Sequence, residues 1–96
     1  MANNLHISYD LKKPDKNYEQ VIAAVKKLGS WAKIHYSFWY VKSEFAAEQA
    51  RDYLLKSIDS NDSIYVADCT NNNAAWHNIP QDSSTFIRDS WKSRAA

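Results

Sequence analysis

The sequence has one glycine, one cysteine, two prolines and no long uninterrupted apolar run. A single glycine leaves no material for a glycine-rich phosphate loop, which excludes P-loop enzymes and glycine-rich dinucleotide folds. The lone Cys69 permits no internal disulfide and lacks the partners of a usual zinc site. No segment resembles a spanning helix or a signal peptide, so a cytoplasmic protein without membrane contact is expected. Charge of one sign is missing as well. Twelve Lys and Arg against eleven Asp and Glu leave +1 with neutral His, so any nucleic-acid affinity must rest on local patches rather than on a basic excess. Lys12, Lys13 and Lys16 form the first such patch, with Lys26, Lys27 and Lys33 further along. The ordinary reading of lysines is a solvated surface.

What is present is an ordinary globular composition, 45% hydrophobic and 24% charged, over 96 residues. That length suits a single domain, 1–96, with a core over about 4–69 and a C-terminal extension over about 70–96. Leu5, Ile7, Tyr9 and Leu11 alternate with His6, Ser8 and Asp10, the period of a strand with one buried face. Pro14 marks the loop that follows. Tyr18, Val21, Ile22, Val25 and Leu28 then recur at helical spacing, with an Asn17–Gln20 capping pair at the start and Gly29 placed as a left-handed cap at the end. The aromatic and β-branched stretch from Trp31 to Lys42 reads as one strand or as two.

Ser43 is a candidate N-cap for a second helix over Glu44 to about Ser57, with Ala47, Ala50, Leu54 and Ile58 facing inward. Ser63 to Cys69 reads as a further buried strand, Asn71 to Asn73 as a turn, Trp76 to Pro80 as extended chain and Ser84 to Lys92 as a short helix. With two strands in 31–42 the order becomes βαββαβ. That is an α+β fold of ferredoxin-like type, an antiparallel sheet with two helices on one face and a C-terminal tail. The other face would stay open. His35, Trp39, Val41 and Trp76 are assigned to it, and so much apolar surface implies a homodimer packed through Trp39 and Trp76.

Asp10 is the residue with chemical potential. At the end of the first strand, away from the core, its carboxylate is a candidate ligand for Mg²⁺, and a two-fold axis pairing two copies of Asp10 would make a stronger site than one carboxylate. The plainer alternative is that Asp10 begins a turn. His6 shares its strand face but stands roughly 13 Å away along the strand, too far to share one ion. His6, His35 and His77 form no recognised metal spacing, and Cys69 reads as a buried strand cysteine. Tyr36, Phe38, Trp39 and Tyr40 are rings of the kind that stack nucleic-acid bases, although core and dimer packing are their commoner uses.

Three features together resemble the small partner subunit of the CRISPR integrase, a CRISPR-associated adaptation protein, and its relative, virulence-associated protein D. They are Tyr9-Asp10-Leu11 closing the first strand, Pro14-Asp15-Lys16 in the next loop, and Tyr36-Ser37-Phe38-Trp39. The resemblance implies a ferredoxin-like homodimer, a strand break around Tyr36 and Ser37, and a tail lying across the partner. It also implies a Mg²⁺-dependent nuclease on RNA or DNA, with the metal-ligand role falling by position to Asp10. The enzyme expected on the residues themselves is a dimeric endonuclease with paired Asp10 as catalytic residue and metal ligand, Ser8 and Ser37 near the ion, and the loop lysines Lys12, Lys13 and Lys16 holding nucleic acid. Asn17, Tyr18 and Glu19 replace arginines usual in that family, and Tyr40 replaces an acidic residue, which points to a stand-alone relative. The alternative function is a non-catalytic dimeric module that binds a protein or a nucleic acid.

Overall fold

The computed structural model describes residues 2–12 and 18–91. Five strands and three helices follow in chain order: β1 (Asn3–Asp10), α1 (Tyr18–Lys27), β2 (Gly29–His35), β3 (Phe38–Ser43), α2 (Ala47–Leu55), β4 (Ser63–Asp68), β5 (Asn73–His77) and α3 (Gln81–Trp91). The strands form one antiparallel sheet in the order β2-β3-β1-β4-β5. The fold is therefore α+β. A fifth strand beyond β4 and a third helix depart from a simple four-stranded βαββαβ arrangement, and the first part of the expected tail is a strand of the chain's own sheet.

The alternation in β1 behaves as its period requires. Leu5, Ile7 and Tyr9 are buried and face the helices, while Asp10 is exposed on the opposite side. Val21, Ala24 and Val25 of α1 and Ala47, Ala50 and Leu54 of α2 close over that face, joined by Ile64 and Val66 of β4 and Ala75 of β5. Each large aliphatic side chain buried here contributes about 1.5–3 kcal/mol relative to exposure. Helix α3 lies outside this core, at the β5 edge. It is held there by the Trp76 indole donating to Ser84 Oγ (2.9 Å) and the Trp91 indole donating to the Asn72 carbonyl (2.9 Å).

The stretch 31–42 belongs to two strands, joined at Tyr36 and Ser37, where Ser37 takes φ 64° to reverse the chain. Asn72 similarly takes φ 54° in the turn before β5, the left-handed geometry that asparagine tolerates. Four expectations need correction. Trp39 and Val41 do not lie on the open face. Trp39 pairs with Ile7 and Val41 with Leu5, so both point into the core, at 2% and 0% exposure. The open face of β3 instead carries Phe38, Tyr40 and Lys42.

Gly29 is not a left-handed cap, since no glycine has positive φ. It opens β2 against β3 so closely that a Cβ would press into the Lys42 carbonyl. Ser43 does not cap α2. It ends β3 and its Oγ accepts from Phe45 N–H (3.0 Å), while the helix begins four residues later, with Gln49 Oε1 accepting from Ala46 N–H (2.9 Å). Cys69 is exposed rather than buried, just beyond β4, with Sγ 3.6 Å from His6 Nδ1. The capping role of Asn17 and the residues after Trp91 lie outside the described residues. Among the described residues no helix is long and apolar enough to cross a membrane.

Candidate functional site

Asp10 is the last residue of β1 and is placed by two neighbours. Its Cα pairs with Ser63 on β4, and the preceding Tyr9 N–H donates to the Ser37 carbonyl (3.2 Å) in the β2–β3 turn. Ser8, one alternation earlier, shares the open side with Asp10 and pairs with Phe38 and Tyr65. A cleft of about 330 Å³ opens here, lined by Ser8, Asp10, Lys12, Ser63, Tyr65 and the Ile79-Pro80 segment. That segment is held in position by Ser63 Oγ donating to the Asn78 carbonyl (2.6 Å) and Asn78 Nδ2 donating to the Asp62 carbonyl (3.3 Å).

Lys12 Nζ donates to Asp10 Oδ2 at 2.9 Å, and the side chains are 46% and 69% exposed. A pair this exposed contributes at most about 1 kcal/mol; its importance is that a cation and a carboxylate stand together at the cleft mouth. Asp62 is fully buried beneath the loop that carries Lys12. Its Oδ1 accepts from Lys12 N–H (2.9 Å) and its Oδ2 from Asp59 N–H (2.8 Å), which ties the chain leaving β1 to the start of β4. Asp68 performs a similar task at the far end of β4, accepting from the backbone of Thr70 and Asn71. These two carboxylates build loops and do not face the cleft.

On the helix side of the same strand end lie three phenols. Tyr9 and Tyr18 ring centroids are 6.3 Å apart, and those of Tyr18 and Tyr36 are 5.7 Å apart. Burial pushes the Tyr9 phenol up, against the lowering effect of the Trp39 indole, which donates to its oxygen at 3.0 Å. Burial also raises Tyr18, reinforced by Tyr36 and by the negative charge of Asp10 and Asp62. Tyr65, in the cleft wall, is raised by burial and then by Cys69.

The residues singled out in the sequence separate into three groups. Asp10, Ser8 and Lys12 meet at the cleft. Ser37 reaches this strand end through its backbone, but its side chain does not line the cleft. Lys13 and Lys16 lie outside the described residues. Ser63, Tyr65 and Ile79 were not anticipated there, because only the pairing of β4 with β1 brings them to Asp10. As a metal centre, the described residues of one chain offer one carboxylate and the hydroxyls of Ser8 and Ser63. No three of their His, Cys, Asp or Glu side chains converge, so these residues do not by themselves make the donor set that Mg²⁺ needs.

Beside the cleft, the open face carries a row of rings. His6 meets Phe38 and Tyr40 edge-on at 5.8 and 6.2 Å, Phe38 meets His35 at 5.1 Å, and Tyr65 stacks on Trp76 at 5.8 Å. Neither α1 nor α2 covers them. Trp76 thus lies on the open side as expected, whereas Trp39 does not. Comparison with protein-family models, with curated proteins and with solved structures finds no match to this chain in any of the three.

Proposed function

We propose that the chain is a homodimeric nucleic-acid-binding module of ferredoxin-like plan, related to the small partner subunit of the CRISPR integrase, with two copies meeting through the open sheet face. The observation that carries this reading is the ring row His35, Phe38, His6, Tyr40, Tyr65 and Trp76 on a face that neither core helix covers. Among the described residues charge on that face is sparse, with Lys42 near one end of β3 and the Asp10–Lys12 pair at the end of β1. An apolar, aromatic-rich, weakly charged patch is the composition of an association core. The ferredoxin-like plan is supported by the order β4-β1-β3-β2 of the first four strands, with α1 and α2 on one face; β5 and α3 extend it.

Sedimentation velocity tests the dimer. The native chain should sediment as a dimer, and Phe38→Asp should give a folded monomer because it places a charge among desolvated rings. A native chain that stays monomeric at high concentration refutes the interface. Retention of labelled RNA or DNA on a filter tests the binding.

A second reading is favoured by one specific observation. Asp10 lies on the same open side as the ring row, at the end of β1, so a two-fold axis passing beside that strand end would bring two carboxylates together. On that reading the dimer is a Mg²⁺-dependent endonuclease on RNA or DNA with Asp10 as its catalytic residue and metal ligand. Cleavage of labelled single-stranded RNA, single-stranded DNA and duplex DNA, with Mg²⁺ or with EDTA, decides it. Cutting that EDTA and Asp10→Ala both abolish establishes the nuclease. Absence of cutting, or equal cutting by the variant, removes paired Asp10 from the mechanism and leaves the binding module.

A further inference from the structure

We propose that the outer flank of β2, on the side of the sheet away from the ring row, is a seat for single-stranded nucleic acid: bases stack on Trp31 and Tyr36, and phosphates meet Lys26 and Lys33. This inference rests on the nucleic-acid reading above and gives it a location and a ligand class.

Strand β2 is an edge strand, and all seven of its residues are exposed. Trp31 pairs with the inward-facing Val41 and Lys33 with the inward-facing Trp39, so both side chains lie on the helix side of the sheet. Helix α1 stops short of covering them. Trp31 is left 45% exposed and Tyr36, at the strand's end, 70% exposed. Large rings bared on the helix side of a sheet are unusual, because that is the side on which a small domain makes its core.

The lysines are arranged around these rings. Lys26 Nζ stands 4.5 Å from the Trp31 ring centroid and 6.0 Å from that of Trp39; Lys33 Nζ is 5.8 Å from both the Tyr36 and Trp39 rings. Trp31 packs edge-on against Trp39 at 5.4 Å, so the buried indole fixes the exposed one. Cation–π contact holds both ammonium groups at defined places beside a stacking surface. Neither ammonium makes an ion pair with a described carboxylate, in contrast to Lys12 and Arg51, which do. The acidic side chains on the adjoining segments are Glu19, two turns before Lys26 on α1, and Glu44, just after β3.

Charge and ring exposure together select the occupant. Positive charge beside exposed aromatic faces is the combination by which proteins hold unpaired bases without reading sequence. A duplex hides its base faces in its own stack and is gripped through many phosphates, more than two lysines neutralise. An acidic peptide would use the lysines but leave the rings without a purpose. The flank is also compatible with the proposed dimer, since Trp31 and Lys33 lie on the opposite side of the sheet from Phe38 and Tyr40.

The test is fluorescence anisotropy of labelled short oligouridine and oligothymidine titrated with the full chain over a range of salt, with polyglutamate as a charge-matched competitor. The native chain should bind one or both oligonucleotides. Replacing two phosphate contacts, as Lys26→Gln with Lys33→Gln, should lower the slope of log affinity against log salt by about 1.4. Trp31→Ala should weaken binding roughly tenfold or more, the value of one lost base stack, and Trp31→Phe, which keeps a ring against Trp39, should restore most of it, with circular dichroism checking that both variants fold. Native binding with both sets of variants unchanged overturns the β2 seat while the nucleic-acid reading survives. Equal competition by polyglutamate also overturns it, because the flank would then be a plain cationic surface. Failure of the native chain to bind single strands or duplex refutes both the seat and the reading on which it rests.

Discussion

Removing the phenol oxygen of Tyr9 tests how the centre of the fold is held together. The Trp39 indole donates to Tyr9 Oη at 3.0 Å, Trp39 is 2% exposed and Tyr9 5%. Tyr9→Phe keeps the ring and leaves a buried indole N–H with no acceptor. An orphaned buried donor costs about 1–3 kcal/mol. Taking about 2 kcal/mol, a domain of this size should lose roughly 8–16 °C in Tm. The phenol also carries a pH signature. Burial raises its pKa above the ordinary 10.0, so below that value it is neutral in both states and its contribution is complete. Above it the unfolded phenol ionises first, unfolding releases a proton, and stability falls with pH until the folded phenol ionises too.

Urea unfolding followed by tryptophan fluorescence, at neutral pH and again above pH 10, measures both effects. Tyr9→Phe should be destabilised at neutral pH and should show a shallower alkaline decline than the native chain, with Tyr18 and Tyr65 supplying what remains of it. In a double-mutant cycle with Trp39→Phe the two losses should fall short of additivity by about 1 kcal/mol, because the second substitution removes the donor that the first left stranded. A Tyr9→Phe chain within about 0.5 kcal/mol of native stability, with an unaltered alkaline limb, would show that this hydrogen bond does not hold β1 to β3.

Gly29→Ala places a Cβ against the Lys42 carbonyl, with further contacts at 3.0 and 3.1 Å to Lys42 C and Ser43 Cα. Strands β2 and β3 must separate there, so thermal melting should show a loss of about 1–3 kcal/mol and hydrogen exchange should accelerate first in β2. Asp62→Ala removes the buried acceptor shared by Lys12 and Asp59; chemical denaturation should show a loss of about 3 kcal/mol, whereas Asp10→Ala should stay within about 1 kcal/mol of native because its ion pair is exposed. Ser37→Gly relieves a left-handed residue in the β2–β3 turn; Tm should rise, by the equivalent of about 0.5–1 kcal/mol.

Element order was legible as far as β4, apart from the choice between one strand and two in 31–42, because it depends on local period; β5 read only as a turn followed by extended chain. Alternation over Leu5, Ile7 and Tyr9 fixed the inward face of β1 and put Asp10 on the other side, and helical spacing over Val21 and Val25 and over Ala47, Ala50 and Leu54 fixed the inward faces of α1 and α2. The asparagine turn was likewise visible in residue type. The parity of β3 was not, because both of its faces are rich in rings. Phe38 and Tyr40 compete with Trp39 and Val41, and only pairing with Ile7 and Leu5 decides between them.

Gly29 was misread for a related reason: its lack of a side chain answers a contact with Lys42 on another strand, not the local backbone conformation. Cys69 had the composition of a buried strand, but β4 ends one residue earlier and leaves the thiol exposed beside His6. The cleft at Asp10 and the basic flank of β2 were beyond reach for the same cause. The sequence alone determined most of the elements and the sidedness of most of those, since a 2.0 or 3.6 period is carried by neighbours along the chain. Tertiary structure alone decided which residues meet, that Ser63 and Tyr65 stand by Asp10 and that Lys26 lies over Trp31, because strand register and helix coverage are set by contacts between segments distant in the chain.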